Sequence, residues 1–225
     1  MSTSQIIRLK QFAEDAAEWI AAEAPTAIAE RGIFRVALAG GETPRAVHEA
    51  LAKCDVAWPR VQVTFGDERC VPPDDADSNY RMAKESLLDR VPLPPNVFRI
   101  RGEIAPEDAA REYEKKLAAV AARFGETRYV HDLVILGMGP DGHTASLFPG
   151  SPALDETERN VIPATGPKPP PQRITMTFPL INAARRVCFL LKGAEKIPLM
   201  EMIVAGDESY PAGRVKAASV TWLVG

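Results

Sequence analysis

One stretch constrains this chain more than any other: Asp132-Leu-Val-Ile-Leu-Gly137-Met-Gly139-Pro140-Asp141-Gly142-His143-Thr144-Ala145-Ser146-Leu147-Phe148-Pro149. It passes from an apolar run of strand length into a glycine turn that carries an aspartate and a histidine two residues apart. Glycine admits positive φ and lets the backbone come close to a ligand. Gly137, Gly139 and Gly142 also satisfy the G-x-G-x-x-G spacing of a dinucleotide loop. The context excludes that use. A dinucleotide site needs a long helix opening at the third glycine, and Pro149-Gly150 stops any helix within about two turns. The run therefore predicts a polar turn at the carboxyl end of a strand, where open α/β sheets hold their ligands.

Short apolar runs alternate with helical patterns along the rest of the chain. Strands are expected at Phe34–Ala39, Val61–Phe65, Val97–Ile100, Leu133–Leu136, Val187–Leu191 and Val220–Val224. Helices are expected at Gln5–Glu23, Pro44–Ala52, Asn79–Leu88, Glu107–Phe124 and Glu195–Ala205, from apolar spacing of three and four or from alanine-rich composition. This alternation predicts an α/β fold: a mostly parallel central sheet covered by helices on both faces. The prolines gather in loops such as Pro72-Pro73 and Pro167–Pro171, none long enough to be a linker, so residues 1–225 are expected to form a single domain.

The bulk numbers exclude several function classes. A net charge of −3 without a basic run gives neither nucleic acid nor an anionic membrane anything to bind. No apolar stretch reaches membrane-spanning length, and the first residues lack a signal-peptide pattern. Cys54, Cys70 and Cys188 are odd in number and far apart, which suits reduced thiols in a cytoplasmic protein. His48 and His131 read as isolated and solvent-facing, and with three scattered histidines no metal site is expected. Oligomeric state is not written in the composition, and a monomer is the simplest expectation.

Two further strand ends carry polar turns. Gly40-Gly41-Glu42-Thr43-Pro44 reads as a helix start with Thr43 as N-cap and Pro44 in the first helical position. The unpaired N–H groups of such a start form a ready phosphate or oxyanion site. The next strand ends in Gly66-Asp67-Glu68-Arg69, placing both signs of charge at the same sheet edge, and Asp77 or Ser78 caps a helix that begins near Asn79. Arg173, after the proline-rich loop, and Lys196, after Lys192-Gly193, are basic residues that could supply the positive charge the composition lacks.

Together these segments resemble the 6-phosphogluconolactonases of the glucosamine-6-phosphate isomerase/deaminase-like family. The matching stretches are Leu38–Pro44, Phe65–Pro72 with Ser78–Tyr80, Leu136–Pro149, Pro167–Thr177, Gly193–Lys196 and Val220–Leu223, in the family's order. The resemblance implies a Rossmann-like three-layer α/β/α fold, no cofactor, and hydrolysis of a sugar-phosphate lactone in the oxidative pentose phosphate pathway. It also implies that Arg173 and Lys196 bind the phosphate. Departures are modest: Ala39 stands where the family often has Ser. The deaminase branch has Ile-Ala-Phe-Asn-Glu after Asp-Gly-His, where this chain has Thr144–Phe148 without the Glu.

Lactone opening needs an activated water, a stabilised oxyanion and an anchor for the phosphate. His143 is the candidate general base, since an imidazole can take a proton near neutral pH. Either Asp141 or Asp67 is available to orient it. Arg69 and the Gly40–Thr43 amides are candidates for the oxyanion or phosphate, and Asn79 for a substrate contact. The alternatives are an amino-sugar phosphate deaminase and a non-catalytic sugar-phosphate sensor on the same fold.

Overall fold

Every residue of Phe34–Leu38 (β2) and of Val61–Phe65 (β3) is buried, a pattern possible only for strands covered on both faces. The structure, a computed structural model, describes residues 3–225. Seven strands form one parallel sheet in the order β1-β10-β9-β6-β2-β3-β5, where β1 is Thr3–Arg8, β5 Asn96–Val97, β6 Leu133–Gly137, β9 Arg186–Leu191 and β10 Ser219–Val224. Its main helices are α1 (Phe12–Arg31), α2 (Glu42–Leu51), α4 (Pro106–Arg123) and α6 (Ile197–Val204), with the shorter α3 (Asn79–Ala83) and α5 (Phe178–Asn182). The expected α/β class, with a mostly parallel sheet, is what forms. Among the described residues, no helix is long and apolar enough to cross a membrane.

At Gly66 the chain leaves the large sheet. Gly66 N–H still donates to the Leu38 carbonyl at 3.0 Å, while its own carbonyl accepts from Met176 N–H at 2.8 Å. Asp67–Arg69 (β4) then joins a three-stranded antiparallel sheet with Gln172–Met176 (β8) and Val161–Thr165 (β7). The two sheets thus meet beside the carboxyl ends of β2 and β3. These three strands were not among the expected ones, because their residues are short and interrupted by charge or proline.

Several expectations need correction. Gln5–Arg8 belongs to β1, not to a helix: the free edge of β10 takes these residues in parallel register, Gln5 opposite Thr221 and Ile7 opposite Leu223. The helix begins instead at Phe12, where Asp15 accepts from the N–H groups of Lys10 and Gln11, and runs through Pro25 to Gly32, whose φ of 75° ends it. The strand expected over Val97–Ile100 pairs only at Asn96–Val97. Beyond Phe98 the chain turns to lay Gly102 on the Arg69–Val71 backbone, where a Cβ would lie 2.2 Å from the Arg69 carbonyl.

His48 and His131 do not face solvent; both are fully buried. His131 Nε2 lies 2.9 Å from Thr64 Oγ, and His48 Nδ1 lies 3.4 Å from Ser86 Oγ. Burial first, and then the charge of Arg45 or Arg35, lowers their pKa to about 4 for His48 and about 3 for His131. Their neutral forms therefore stabilise the fold fully above the unfolded value near 6.5, and this contribution is lost as pH falls below it. Each should cost about 2 kcal/mol at pH 5, because one pKa unit is about 1.4 kcal/mol. Urea denaturation at pH 7 and pH 5 measures this, and His48→Gln should flatten the dependence. Equal stability at the two pH values would mean that neither imidazole is held neutral by burial.

Candidate active site

The connections from β2 and β6 leave in opposite directions, because β2 leads outward to β3 while β6 returns to lie on β2's other side before leading to β9. Adjacent strands with diverging connections open a crevice at their carboxyl ends. Here that crevice is a cleft of about 620 Å³. All ten residues singled out in the sequence line it: Gly40, Gly41, Thr43, Asp67, Arg69, Asn79, Asp141, His143, Arg173 and Lys196.

The turn after β6 is built around the imidazole. Gly139 packs so close to it that a Cβ there would lie 2.2 Å from His143 Cε1. Gly142, at φ 76°, lies under Tyr210, and its carbonyl accepts from Ala212 N–H at 3.0 Å. No helix opens at this third glycine, so the dinucleotide reading fails in the structure as it does in the sequence. His143 Nδ1 is 2.5 Å from Asp141 Oδ1, and the ring packs at 4.6 Å, centroid to centroid, against Phe148. With Nδ1 committed to the carboxylate, Nε2 is left to the cleft that the residue lines. Burial pushes the Asp141 carboxyl up, but the hydrogen bond and charge of His143 outweigh it and hold it below the usual range.

Of the two aspartates left open by the sequence, Asp141 is the one bonded to His143. Asp67 is engaged elsewhere, accepting from Ser146 Oγ at 2.6 Å and from Asn79 Nδ2 at 2.9 Å. Ser78 caps α3 by accepting from Arg81 N–H at 3.1 Å. Buried Glu68 accepts from the backbone N–H groups of Asn79 and Tyr80 at 2.7 and 2.8 Å, pinning the start of that helix below the cleft.

The turn after β2 differs in one respect from its sequence reading. The residue before α2 is Gly41, at φ 104°, so Glu42 opens the helix and Thr43 lies within its first turn rather than capping it. Only glycine takes that φ without strain, and it moves the boundary two residues earlier than the Thr-Pro pair suggests. The free N–H groups of the first turn still face the cleft's side of the sheet, as Gly40–Thr43 all line it. Gly40 is needed for another reason: a Cβ there would sit 2.0 Å from Asn79 Oδ1.

Positive charge gathers on the third side. Arg69 on β4 and Arg173 on β8 are direct cross-strand partners. Like charges so placed repel. The Nε groups of both are buried without a hydrogen-bond partner, although Arg69 Nη1 donates to the Asp77 carbonyl at 2.6 Å. Burial, then the charge of Arg69, pulls Arg173 below the ordinary guanidinium value. Lys196 ends a tight turn after Gly193, and Lys168 also lines the cleft. Lys168 was not singled out as a site residue, since a lysine in a proline-rich loop carries no local signal. A bound anion with several oxygens, a carboxylate or a phosphate, could accept from both guanidinium groups at once. Among the described residues, no three His, Cys, Asp or Glu side chains converge as metal ligands would.

The chain and its α/β fold have counterparts among known proteins. The chain belongs to the family described as glucosamine-6-phosphate isomerases/6-phosphogluconolactonase, whose model matches residues 8–223. A 6-phosphogluconolactonase from Synechocystis sp. is 42% identical over 204 residues, which are 88% of this chain and 84% of the relative. The human 6-phosphogluconolactonase is 42% identical over 191 residues, 80% of this chain and 72% of its own length. The crystal structure of 6-phosphogluconolactonase from Thermotoga maritima matches with a TM-score of 0.88 at 32% identity, covering 99% of this chain and all of that one.

If the arginine pair is an anion site, inorganic phosphate should raise the melting temperature, by the equivalent of about 1.4 kcal/mol at ten times its Kd. Arg173→Ala should lose most of that rise. An identical shift in the variant would place the anion elsewhere.

Proposed function

We propose that this protein hydrolyses the δ-lactone of 6-phosphogluconate to the open acid, the second step of the oxidative pentose phosphate pathway. The observation that carries the reading is the Asp141–His143 pair at 2.5 Å beside the arginine pair in one cleft. A base and an anion anchor are what a phosphorylated lactone requires, and the shared family supports it.

In this reading Asp141 accepts the Nδ1 proton of His143 and fixes the tautomer in which Nε2 is the base. Nε2 takes a proton from water as the oxygen attacks the lactone carbonyl carbon. The oxyanion that forms is met by the Gly40–Thr43 amides at the start of α2 and by Arg69, donors typically worth about 10²–10³ in rate each. When the ring C–O bond breaks, the imidazolium returns its proton to the departing ring oxygen. Arg173 and Lys196 hold the phosphate, and Asn79 and Asp67 border the sugar. No metal or cofactor enters this scheme.

The deaminase alternative is disfavoured by the run Thr144–Phe148, which contains no carboxylate after Asp-Gly-His. Three free cysteines suit a reducing compartment, and the reading extends to a cytoplasmic enzyme acting as a monomer.

A coupled assay against the spontaneous hydrolysis rate tests the proposal directly. His143→Ala should lower kcat by about 10²-fold or more, with phosphate binding retained. Turnover near that of the unmodified enzyme would remove His143 from the role of base. The protein should also release no ammonia from glucosamine 6-phosphate; release at rates comparable to lactone opening would favour the deaminase chemistry.

A further inference from the structure

Ala145 has a φ of 47°, the one non-glycine residue in the left-handed region among those described. An alanine persists there only where its surroundings hold it, and such strain gathers at functional sites. Here the strain falls between His143 and Ser146. On one side Thr144 Oγ donates to the Gly137 carbonyl at 2.9 Å. On the other, Ser146 N–H donates to Thr175 Oγ at 3.2 Å and Ser146 Oγ donates to Asp67 Oδ2 at 2.6 Å. Ser146 is 1% exposed, and it is not among the residues that line the cleft.

Asp67 carries the connection onward. Its other oxygen accepts from Asn79 Nδ2 at 2.9 Å, and the Asn79 amide occupies the space a side chain at Gly40 would need. The turns that bear the base and the helix N-terminus arise from different strands, β6 and β2. Above the sheet they are joined by this line of side chains, from Ser146 through Asp67 and Asn79 to Gly40.

We infer that Ser146 is a positioning residue: its hydroxyl, anchored on Asp67, holds the strained turn at Ala145 and so sets the His143 imidazole against the glycine turn. Its effect on rate rests on the lactonase reading given above, whereas its effect on the imidazole does not.

Ser146→Ala should lower kcat about tenfold or more while KM stays within about threefold, because Arg173 and Lys196 are untouched. Adding Ala145→Gly removes the need to hold an alanine at positive φ and should recover about a third or more of the lost kcat. A merely structural role would lower stability without this split and without this rescue. Thr175→Val, which removes the acceptor of Ser146 N–H with little change of shape, should give a smaller loss in kcat at the same KM. It decides the matter if Ser146→Ala does not fold. Nitrogen NMR of the His143 ring is the readout independent of turnover: one fixed Nδ1–H tautomer in the unmodified protein, averaged tautomers in the variant. Lactonase turnover unaffected by Ser146→Ala, or a loss that Ala145→Gly leaves unchanged, overturns the inference and leaves the activity standing. Absence of turnover in the unmodified protein overturns the activity, and the NMR comparison then decides the positioning role.

Discussion

Parallel pairing of β2 with β6 is the constraint on which the site depends. The two strands share a short register, Val36 with Leu133 and Ala37 with Val134, and their connections then part in opposite directions. All ten candidate site residues border the crevice this parting leaves. One wall is the glycine turn and first turn of α2, the other is the Gly139–His143 turn, and the floor is the top of the buried sheet. Neither wall could be moved by a residue without shifting a whole strand register, because side chains in a sheet alternate faces.

The small antiparallel sheet completes what the large one cannot supply. Parallel strands end in neutral turns and helix N-termini, which favour anions but carry no full charge. By breaking away at Gly66, the chain sends β4 across to β8 and sets Arg69 opposite Arg173 at the cleft's rim. In a protein of net charge −3 this sets two guanidinium groups side by side, with the carboxylates of Asp67 and Asp77 near enough to offset part of their repulsion. Residues that look equivalent in sequence take different parts there. Asp67 and Glu68 are neighbours, yet Glu68 is spent on the N–H groups of α3 while Asp67 bridges Ser146 and Asn79.

Much of the site was legible because ligand-binding turns at strand ends leave local marks. Glycine pairs, an aspartate near a histidine, and charge at the end of an apolar run are all short-range signals. The ten candidate site residues drawn from the sequence line one cleft, although Gly142 and Glu68, which the same signals flagged, do not. The long helices and the central strands were legible for a similar reason, since their periodicity lies within one element. The misses were of another kind. Strand β1 was hidden because Ile6, Ile7 and Leu9 continue the apolar spacing of the helix after them, and only the open edge of β10 decides otherwise. Thr43 lost the cap to Gly41 because a positive φ outweighs a hydroxyl at that position.

By itself, the order of apolar runs and glycine turns determined that this chain builds a helix-covered parallel sheet, and which strand ends would border its cleft. Those properties depend on residues close together along the chain. Only the tertiary structure decided that Asp141 rather than Asp67 supports His143, that His48 and His131 are sealed in the core, and that Ser146 reaches Asp67 across 79 positions of sequence. Each of these depends on which elements pack together, and the pairing of distant elements is set by the burial of the whole core rather than by any local pattern.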